Sequence, residues 1–307
     1  PALLQWAALA LLLAGVAFEY QTFAPLPTTS AAMPAPVAAL AERTDIRAVL
    51  DVPWESLIAA KYGMYLQTAH QLPLIAGQET RATPVSPAKL ALLQATLDPT
   101  LLRSVGADVV IVHREQDTDG VLAARAREQL GAPFYEDAAL AVFVTPATDA
   151  APAFAALPPP APLLTDRADS HLYAPADGWV NLAAWLAPTF ATDEPRAVQL
   201  LLDGVPVAGW ALTAETDVAL PLPRAEGFHT VTFALEPPCP QRFDAALTCR
   251  SVALAELAFD FAANDETSVA LASPVQFDHG LALLRARLPA VASAGDTLPV
   301  ALYWGFD

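Results

Sequence analysis

The spacing of apolar residues changes partway along this 307-residue chain, and that change limits the folds open to it. Before residue 148, apolar runs of strand length alternate with longer segments of helical spacing. After residue 168, the segments are short, partly alternating and separated by turn signals. Residues 148–168 between them, DAAPAFAALPPPAPLLTDRAD, are rich in Pro and Ala. We therefore predict two folded units joined by a linker at 148–168.

The first unit, residues 40–147, reads as an α/β unit. A short apolar strand at 46–52 precedes a helical segment at 54–70, and a second, β-branched strand follows at 108–112. Strand–helix–strand alternation predicts a mainly parallel sheet with covering helices. The 54–70 helix is expected to bury one stripe of side chains, made of Leu57, Ile58, Tyr62, Tyr65, Leu66 and Ala69.

The second unit, residues 169–264, carries no convincing helix and is predicted to be an all-β sandwich or jelly-roll. Asp203-Gly204 between two apolar runs predicts a hairpin over 201–207. Residues 265–307 start a further β pattern, which we expect to be truncated at Asp307.

The chain opens on an apolar run without a charge through Phe18, in which Gln5 is the strongly polar residue. This length suits a transmembrane helix over 1–20, the last of several, followed by a Pro-rich stalk over 21–39. A signal peptide is the alternative, but neither an initiator Met nor a basic n-region is present. Because Arg43 is the first basic residue, the flank is expected outside the cytoplasm, with the protein held in the cell membrane.

Charge and motif content exclude several functions. A net charge of −17 without a basic cluster argues against nucleic acid as a partner. No catalytic, cofactor or metal motif is found, and the histidines are isolated in sequence, so we predict no catalytic residue, cofactor or metal. Cys239 and Cys249 are a candidate disulfide for an exported domain, with two free thiols as the alternative.

One group of polar residues is a candidate ligand site. Asp51 lies near the end of the first strand and His113 at the end of the second, where ligands of open α/β sheets tend to bind. The group that can reach this edge consists of Asp51, His70, Arg81, His113 and Arg114. It would suit an anionic sugar or a lipid phosphate. Alternatively, Asp51 caps the helix beginning near Trp54, and the others are structural; a self-contained enzyme using Asp51, His70 and His113 is a third hypothesis.

Three tryptophans of the β unit, Trp179, Trp185 and Trp210, are candidates for stacking on sugar rings. The alternative is that they fill the core of the sandwich, as tryptophans in such folds usually do. Tyr62 and Tyr65 share the apolar stripe of their helix and are expected to pack in the core.

The chain also resembles a known group of proteins. The runs AVLDVPWESLIAAKYGMYLQTAHQLPLIAGQETR, LLRSVGADVVIVHRE and FYEDAALAVFVT are similar to the region after the last membrane helix of bacterial multi-spanning GT-C-class glycosyltransferase-like proteins, which use polyprenol-phosphate sugars. The closing AGDTLPVALYW looks like the start of a β-sandwich module appended to them.

This resemblance implies an extracytoplasmic accessory region of a glycosyltransferase-like protein, binding glycan or a polyprenol-linked sugar. The catalytic acidic residues of that class lie in an early loop with no counterpart here, so the fragment itself is expected to be non-catalytic. The alternative is a structural or protein–protein interaction ectodomain of a membrane-anchored envelope protein.

Overall fold

A computed structural model describes residues 2–21, 33–76, 86–161, 163–189, 195–239, 251–263, 275–276, 281–287 and 301–306. Arg81, Cys249 and residues 22–32 of the predicted stalk lie outside this part of the chain. Helix α1, Ala2–Gln21, occupies the segment predicted to span a membrane. No helix in the described ranges combines the length and the apolar character that crossing a membrane requires.

The first unit combines helices with one four-stranded sheet. Its helical elements are α2 (Ala35–Ala38), the 3-10 helix η1 (Ala39–Glu42), α3 (Leu57–His70), α4 (Pro87–Thr96), α5 (Pro99–Ser104) and α6 (Val121–Leu130). Its strands are β1 (Ala48–Val52), β2 (Ala107–His113), β3 (Tyr135–Glu136) and β4 (Leu140–Val144). The strand order is β1-β2-β4-β3.

This sheet is mixed rather than mainly parallel. Strands β1 and β2 are parallel, as the sequence predicts, but β4 runs antiparallel to both β2 and β3. The reason is local: β3 and β4 form a hairpin, and the strands of a hairpin are necessarily antiparallel. One strand of that hairpin must therefore run antiparallel to β2, and that strand is β4.

Alternate residues of β1 and β2 face two separate cores, since successive side chains of a strand point to opposite faces. Leu50 and Val110 belong to a core shared with α4, α5 and α6, which we call the α4-side core. Val49 and Ile111 belong to a core shared with α2 and α3, the α3-side core. The sheet is thus covered by helices on both faces.

Helix α3 buries a stripe that shares only Leu66 with the predicted one. It begins at Leu57, where the Oγ of Ser56 accepts the Ala59 N–H at 3.2 Å and caps the helix. Leu57 and Ile58 are 54% and 64% exposed. The buried positions are Ala59, Gly63, Leu66 and His70. Small residues at two of these positions let the helix approach the sheet, so the size of the side chains, and not their apolarity alone, selects the buried face.

The second unit is an antiparallel β-sandwich, and the all-β prediction for this part of the chain is confirmed. Its strands are β5 (Ala155–Leu157), β6 (Leu163–Leu164), β7 (Arg167–Ala174), β8 (Gly178–Pro188), β9 (Arg196–Leu202), β10 (Val205–Leu212), β11 (Thr216–Arg224), β12 (Gly227–Glu236) and β13 (Val252–Ala263). One sheet has the order β10-β9-β12-β7-β5 and the other β11-β8-β13-β6, with an apolar core between them. The predicted hairpin at Asp203-Gly204 is present as β9–β10.

The segment predicted as a linker, 148–168, contributes strands to the sandwich. Strand β5 pairs with β7 in one sheet, and β6 pairs with β13 in the other. The prolines that flank β5 and β6 are tolerated because both strands are very short and lie at sheet edges, where a missing N–H costs little.

The two units also share a core. Helix α4 packs against β5, β7 and β12 of the sandwich. Tyr173 of β7 is buried within the α4-side core, and its ring lies 4.9 Å from that of Phe228 on β12, measured between centroids.

A further antiparallel sheet follows the sandwich. It has the order β14-β15-β16, with bounds Val275–Gln276, Leu281–Arg287 and Ala301–Phe306. These strands lie within residues 265–307, for which the sequence predicts the start of a further β pattern.

Candidate functional site

The structure joins two of the predicted site residues directly. Asp51 is the fourth residue of β1 and His113 the last of β2, and both point to the α3 side of the sheet. Asp51 Oδ1 lies 2.7 Å from His113 Nε2, and the two residues are 3% and 2% exposed. They therefore form a buried acid–imidazole pair at the carboxyl ends of two parallel strands.

His70 lies in the same layer, at the last position of α3. It is fully buried, and its Nδ1 accepts the backbone N–H of Leu72 at 3.0 Å. Burial lowers the pKa of His70, while the negative charge of Asp51 opposes that shift. Among the described residues, neither His70 Nε2 nor Asp51 Oδ2 has a hydrogen-bond partner.

Gly63 explains how the carboxylate of Asp51 fits beneath the helix. A Cβ at position 63 would lie 2.7 Å from both Cγ and Oδ2 of Asp51 and 2.8 Å from Oδ1. Such distances are far inside van der Waals contact, so only a residue without a side chain fits here. Sequence reasoning does not single out Gly63; the available signal is a glycine within a helix, which usually has a packing reason.

Arg114, another member of the predicted anion site, makes its contacts elsewhere. Arg114 is bonded to the Asp137 carbonyl oxygen and pairs with Glu136 at 3.3 Å. Arg81 lies outside the described residues. Ser56, and not Asp51, caps α3, so the alternative capping role of Asp51 does not apply either.

A substrate cannot reach the buried pair as the protein stands. Asp51, His70 and His113 lie between the helix and the sheet, and Tyr62 adds an aromatic edge, with its ring centroid 5.6 Å from that of His113. Tyr62 packs against the α3-side core, and its ring stacks on that of Tyr65 at 6.1 Å. General acid–base catalysis needs contact between the catalytic group and its substrate. This cluster therefore has the geometry of a structural element and not of an active site.

The three tryptophans occupy different environments. Trp179 is 4% exposed. Trp210 packs against the sandwich core and stacks on Phe233 at 6.4 Å. Trp185, on the central strand β8, is half-buried. Trp210 is half-buried as well, but it packs against the sandwich core, so Trp185 is the one placed to offer part of its ring to a ligand.

Strand alternation places Trp185 on the outer face of its sheet. Its neighbours Ala184 and Leu186 are buried and belong to the sandwich core, so Trp185 points away from that core. Asp217 of β11 and Ala255 of β13 lie directly opposite Trp185 on the adjacent strands. Side chains so opposed have Cβ atoms about 4.5–5.5 Å apart.

The side chains next to the indole on this outer face are small. Ala183, two residues away on β8, is exposed and is flanked by Ala219 and Ala258. Further along β8, Asn181 is exposed opposite Asp260. An aromatic face next to hydrogen-bonding groups is the arrangement that a pyranose ring needs, because its C–H surface stacks and its hydroxyls bond.

Cys239 follows β12 and is disulfide-bonded, and its backbone N–H donates to the Thr165 carbonyl oxygen at 2.7 Å. Cys249, the other cysteine of the chain, lies outside the described residues. No group of three or more metal-binding side chains occurs within the ranges that the structure describes.

Comparison with known proteins identifies no family. No family model and no curated protein matches the chain, so the resemblance to GT-C-class proteins receives no support from that side. Among solved structures, the family 36 carbohydrate-binding module in complex with calcium and xylotriose is 20% identical, with a TM-score of 0.22 over 35% of this chain and 88% of that one.

Two further structures show the range of such matches. The sugar-binding EclA C-terminal domain is 12% identical, with a TM-score of 0.26 over 37% of this chain and 81% of that chain. Rabbit GITRL is also 12% identical, with a TM-score of 0.22 over 31% and 74%. At TM-scores this low, the similarities support no argument about fold or function. The strand pairing of the chain itself defines its fold, which is an antiparallel sandwich packed on a helix-covered mixed sheet.

Proposed function

We propose that this chain is a non-catalytic glycan-recognition region, in which the outer face of the β11-β8-β13-β6 sheet binds sugar through Trp185. The observation that supports the proposal is the position of Trp185, half-buried on the outer face of a central strand and directly opposite Asp217. The indole would stack on the apolar surface of a sugar ring, and the Asp217 carboxylate would accept hydrogen bonds from its hydroxyls.

We also propose that the protein works outside the cytoplasm. The disulfide at Cys239 supports this, because disulfides persist in oxidising compartments and are rare where thiols are kept reduced.

The test measures glycan binding by the full chain with isothermal titration calorimetry, using xylo-, cello- and N-acetylglucosamine hexasaccharides as probes. We expect Trp185→Ala to weaken binding of the recognised probe at least tenfold, or about 1.4 kcal/mol. Trp210→Phe is the matched control, since it changes a core-facing tryptophan and retains an aromatic ring against Phe233.

Two results would reject the proposal: no measurable binding of any probe by the wild-type chain, or equal binding by the wild-type and Trp185→Ala chains. Either result would favour the structural or protein–protein interaction ectodomain instead.

A further inference from the structure

Residues 71–76, which we call the strap, cross the free edge of the first sheet immediately after α3. Strand β1 is the edge strand of that sheet. Val49 of β1 donates its N–H to the Pro73 carbonyl oxygen at 2.9 Å, and Ile75 donates to the Val49 carbonyl oxygen at 2.8 Å. Leu74 forms an isolated parallel bridge to Val49. The strap therefore covers backbone groups of β1 that would otherwise form an open edge.

His70 holds the start of the strap. Its Nδ1 accepts the Leu72 N–H, so the neutral imidazole must carry its proton on Nε2. Gln67 adds a second bond, from its Nε2 to the Leu72 carbonyl oxygen at 3.1 Å. Both bonds fix Leu72 beneath the end of α3.

Protonation of His70 is incompatible with this arrangement. The added proton would go to Nδ1, where it would face the Leu72 N–H as a second donor. The hydrogen bond would be lost, and a cation would occupy a fully buried position. Both effects destabilise the position of Leu72, and with it the contact between the strap and the sheet.

The charged groups around His70 are few. On β1 the titratable group is Asp51. On β2, His113 is bonded to Asp51, and Asp108 is paired with Arg47 and Arg103. Of the packed helical elements, η1 carries Glu42, which is exposed, and α2 has no titratable residue. The strap itself has none. The Asp51 carboxylate would attract a charged His70, and this attraction opposes the lowering of the His70 pKa by burial.

We propose that His70 is a pH-sensitive latch: protonating its Nδ1 releases the strap from the edge of β1.

The direction of the pH effect follows from linkage. Burial lowers the pKa of His70 in the latched form below the ordinary value of about 6.5, and Asp51 only partly offsets that shift. When the strap is open and His70 is solvated, the ordinary value applies. Above it both forms are neutral, so the latch is fully closed. As the pH falls below about 6.5, the open form binds more protons, and opening becomes about tenfold more favourable per pH unit until the lowered pKa is reached.

Hydrogen exchange of the Val49 and Ile75 amides in the full chain tests the latch. We expect their protection factors, corrected for intrinsic exchange, to fall several-fold, and by no more than about tenfold, between pH 7.5 and 5.5. Amides in the middle of β2 should keep their protection over the same range. The matched variant is His70→Asn, because its side-chain oxygen can accept the Leu72 N–H and does not titrate. In that variant, the pH dependence should disappear.

A half-buried histidine elsewhere in the molecule provides the control. Burial also lowers the pKa of His171, which lies in the sandwich, so His171→Asn should leave the response of the strap unchanged. Should His70→Asn fail to fold, the imidazole nitrogen shifts of the wild-type chain replace it: a neutral ring protonated on Nε2 at pH 7.5 that titrates together with the loss of Ile75 protection supports the latch. Constant protection of Val49 and Ile75 down to pH 5.5, or equal pH dependence in wild type and His70→Asn, would overturn the proposal.

Discussion

At the scale of single residues, the first unit depends on an absent side chain. Gly63 lets α3 pass close enough to Asp51 for the carboxylate to be enclosed and held 2.7 Å from His113. A buried carboxylate is tolerated only when it is paired, so the glycine and the pair require each other.

We predict that Gly63→Ala destabilises the protein by about 1–3 kcal/mol, as overpacking does. Helix propensity alone would favour alanine by about 1 kcal/mol, so the sign of the result separates propensity from packing. Urea unfolding monitored by circular dichroism measures the effect. Met64→Ala, at the exposed neighbouring position, should change stability by less than about 0.5 kcal/mol. A stabilising Gly63→Ala would show that Asp51 does not lie against the helix.

Single residues also show which features of the site can be predicted from the sequence and which cannot. It places Asp51 and His113 at the ends of two strands, because strand ends follow from apolar runs. It does not show that they bond, since parallel pairing and register depend on contacts between distant segments. It leaves Trp179, Trp185 and Trp210 equivalent. Burial separates Trp185 from Trp179, which shares its face of β8 but is 4% exposed, and Trp210 packs against the sandwich core instead.

At the scale of elements, α3 shows why apolarity is an incomplete guide to a buried face. Sequence reasoning selects the largest apolar residues, including Leu57 and Ile58, yet the helix turns Ala59 and Gly63 to the sheet. The mixed sheet has a similar origin, since the hairpin between β3 and β4 decides a strand direction that alternation of elements cannot reveal. The strands at 155–157 and 163–164 escape prediction because prolines surround them.

The reassigned face of α3 predicts unequal effects for two truncations on the same helix. Leu66→Ala should cost about 2–5 kcal/mol, because Leu66 is fully buried in the α3-side core. Ile58→Ala should change stability by no more than about 0.5 kcal/mol, because that side chain is mostly exposed. Thermal unfolding of both variants provides the comparison, and similar losses in the two would contradict the observed face.

At the scale of the whole molecule, the sandwich and the first unit are joined by a common core. Tyr173 lies among the leucines of α4, and Phe228 contacts it from the neighbouring strand. The boundary that sequence reasoning places in 148–168 reflects composition, whereas the physical packing continues across it.

We expect Tyr173→Ala to destabilise both units together, by about 3–5 kcal/mol, as loss of a large buried aromatic does. Hydrogen exchange monitored at β2 and at β8 reports on each unit separately. Phe134→Ala, which truncates an aromatic residue that is 47% exposed, is the control and should leave both regions protected. Loss of protection confined to the sandwich would mean that the two units unfold independently.

The shared core also bears on how such a chain can be rearranged during evolution. A recombination event that moved the sandwich alone would leave Tyr173 without α4 and place an aromatic patch on the surface. One that moved the first unit alone would uncover the leucines of α4. The smallest piece that can be exchanged intact therefore runs from α2 to β13, and relatives in which the two units occur apart should carry polar residues in place of Tyr173 and Phe228.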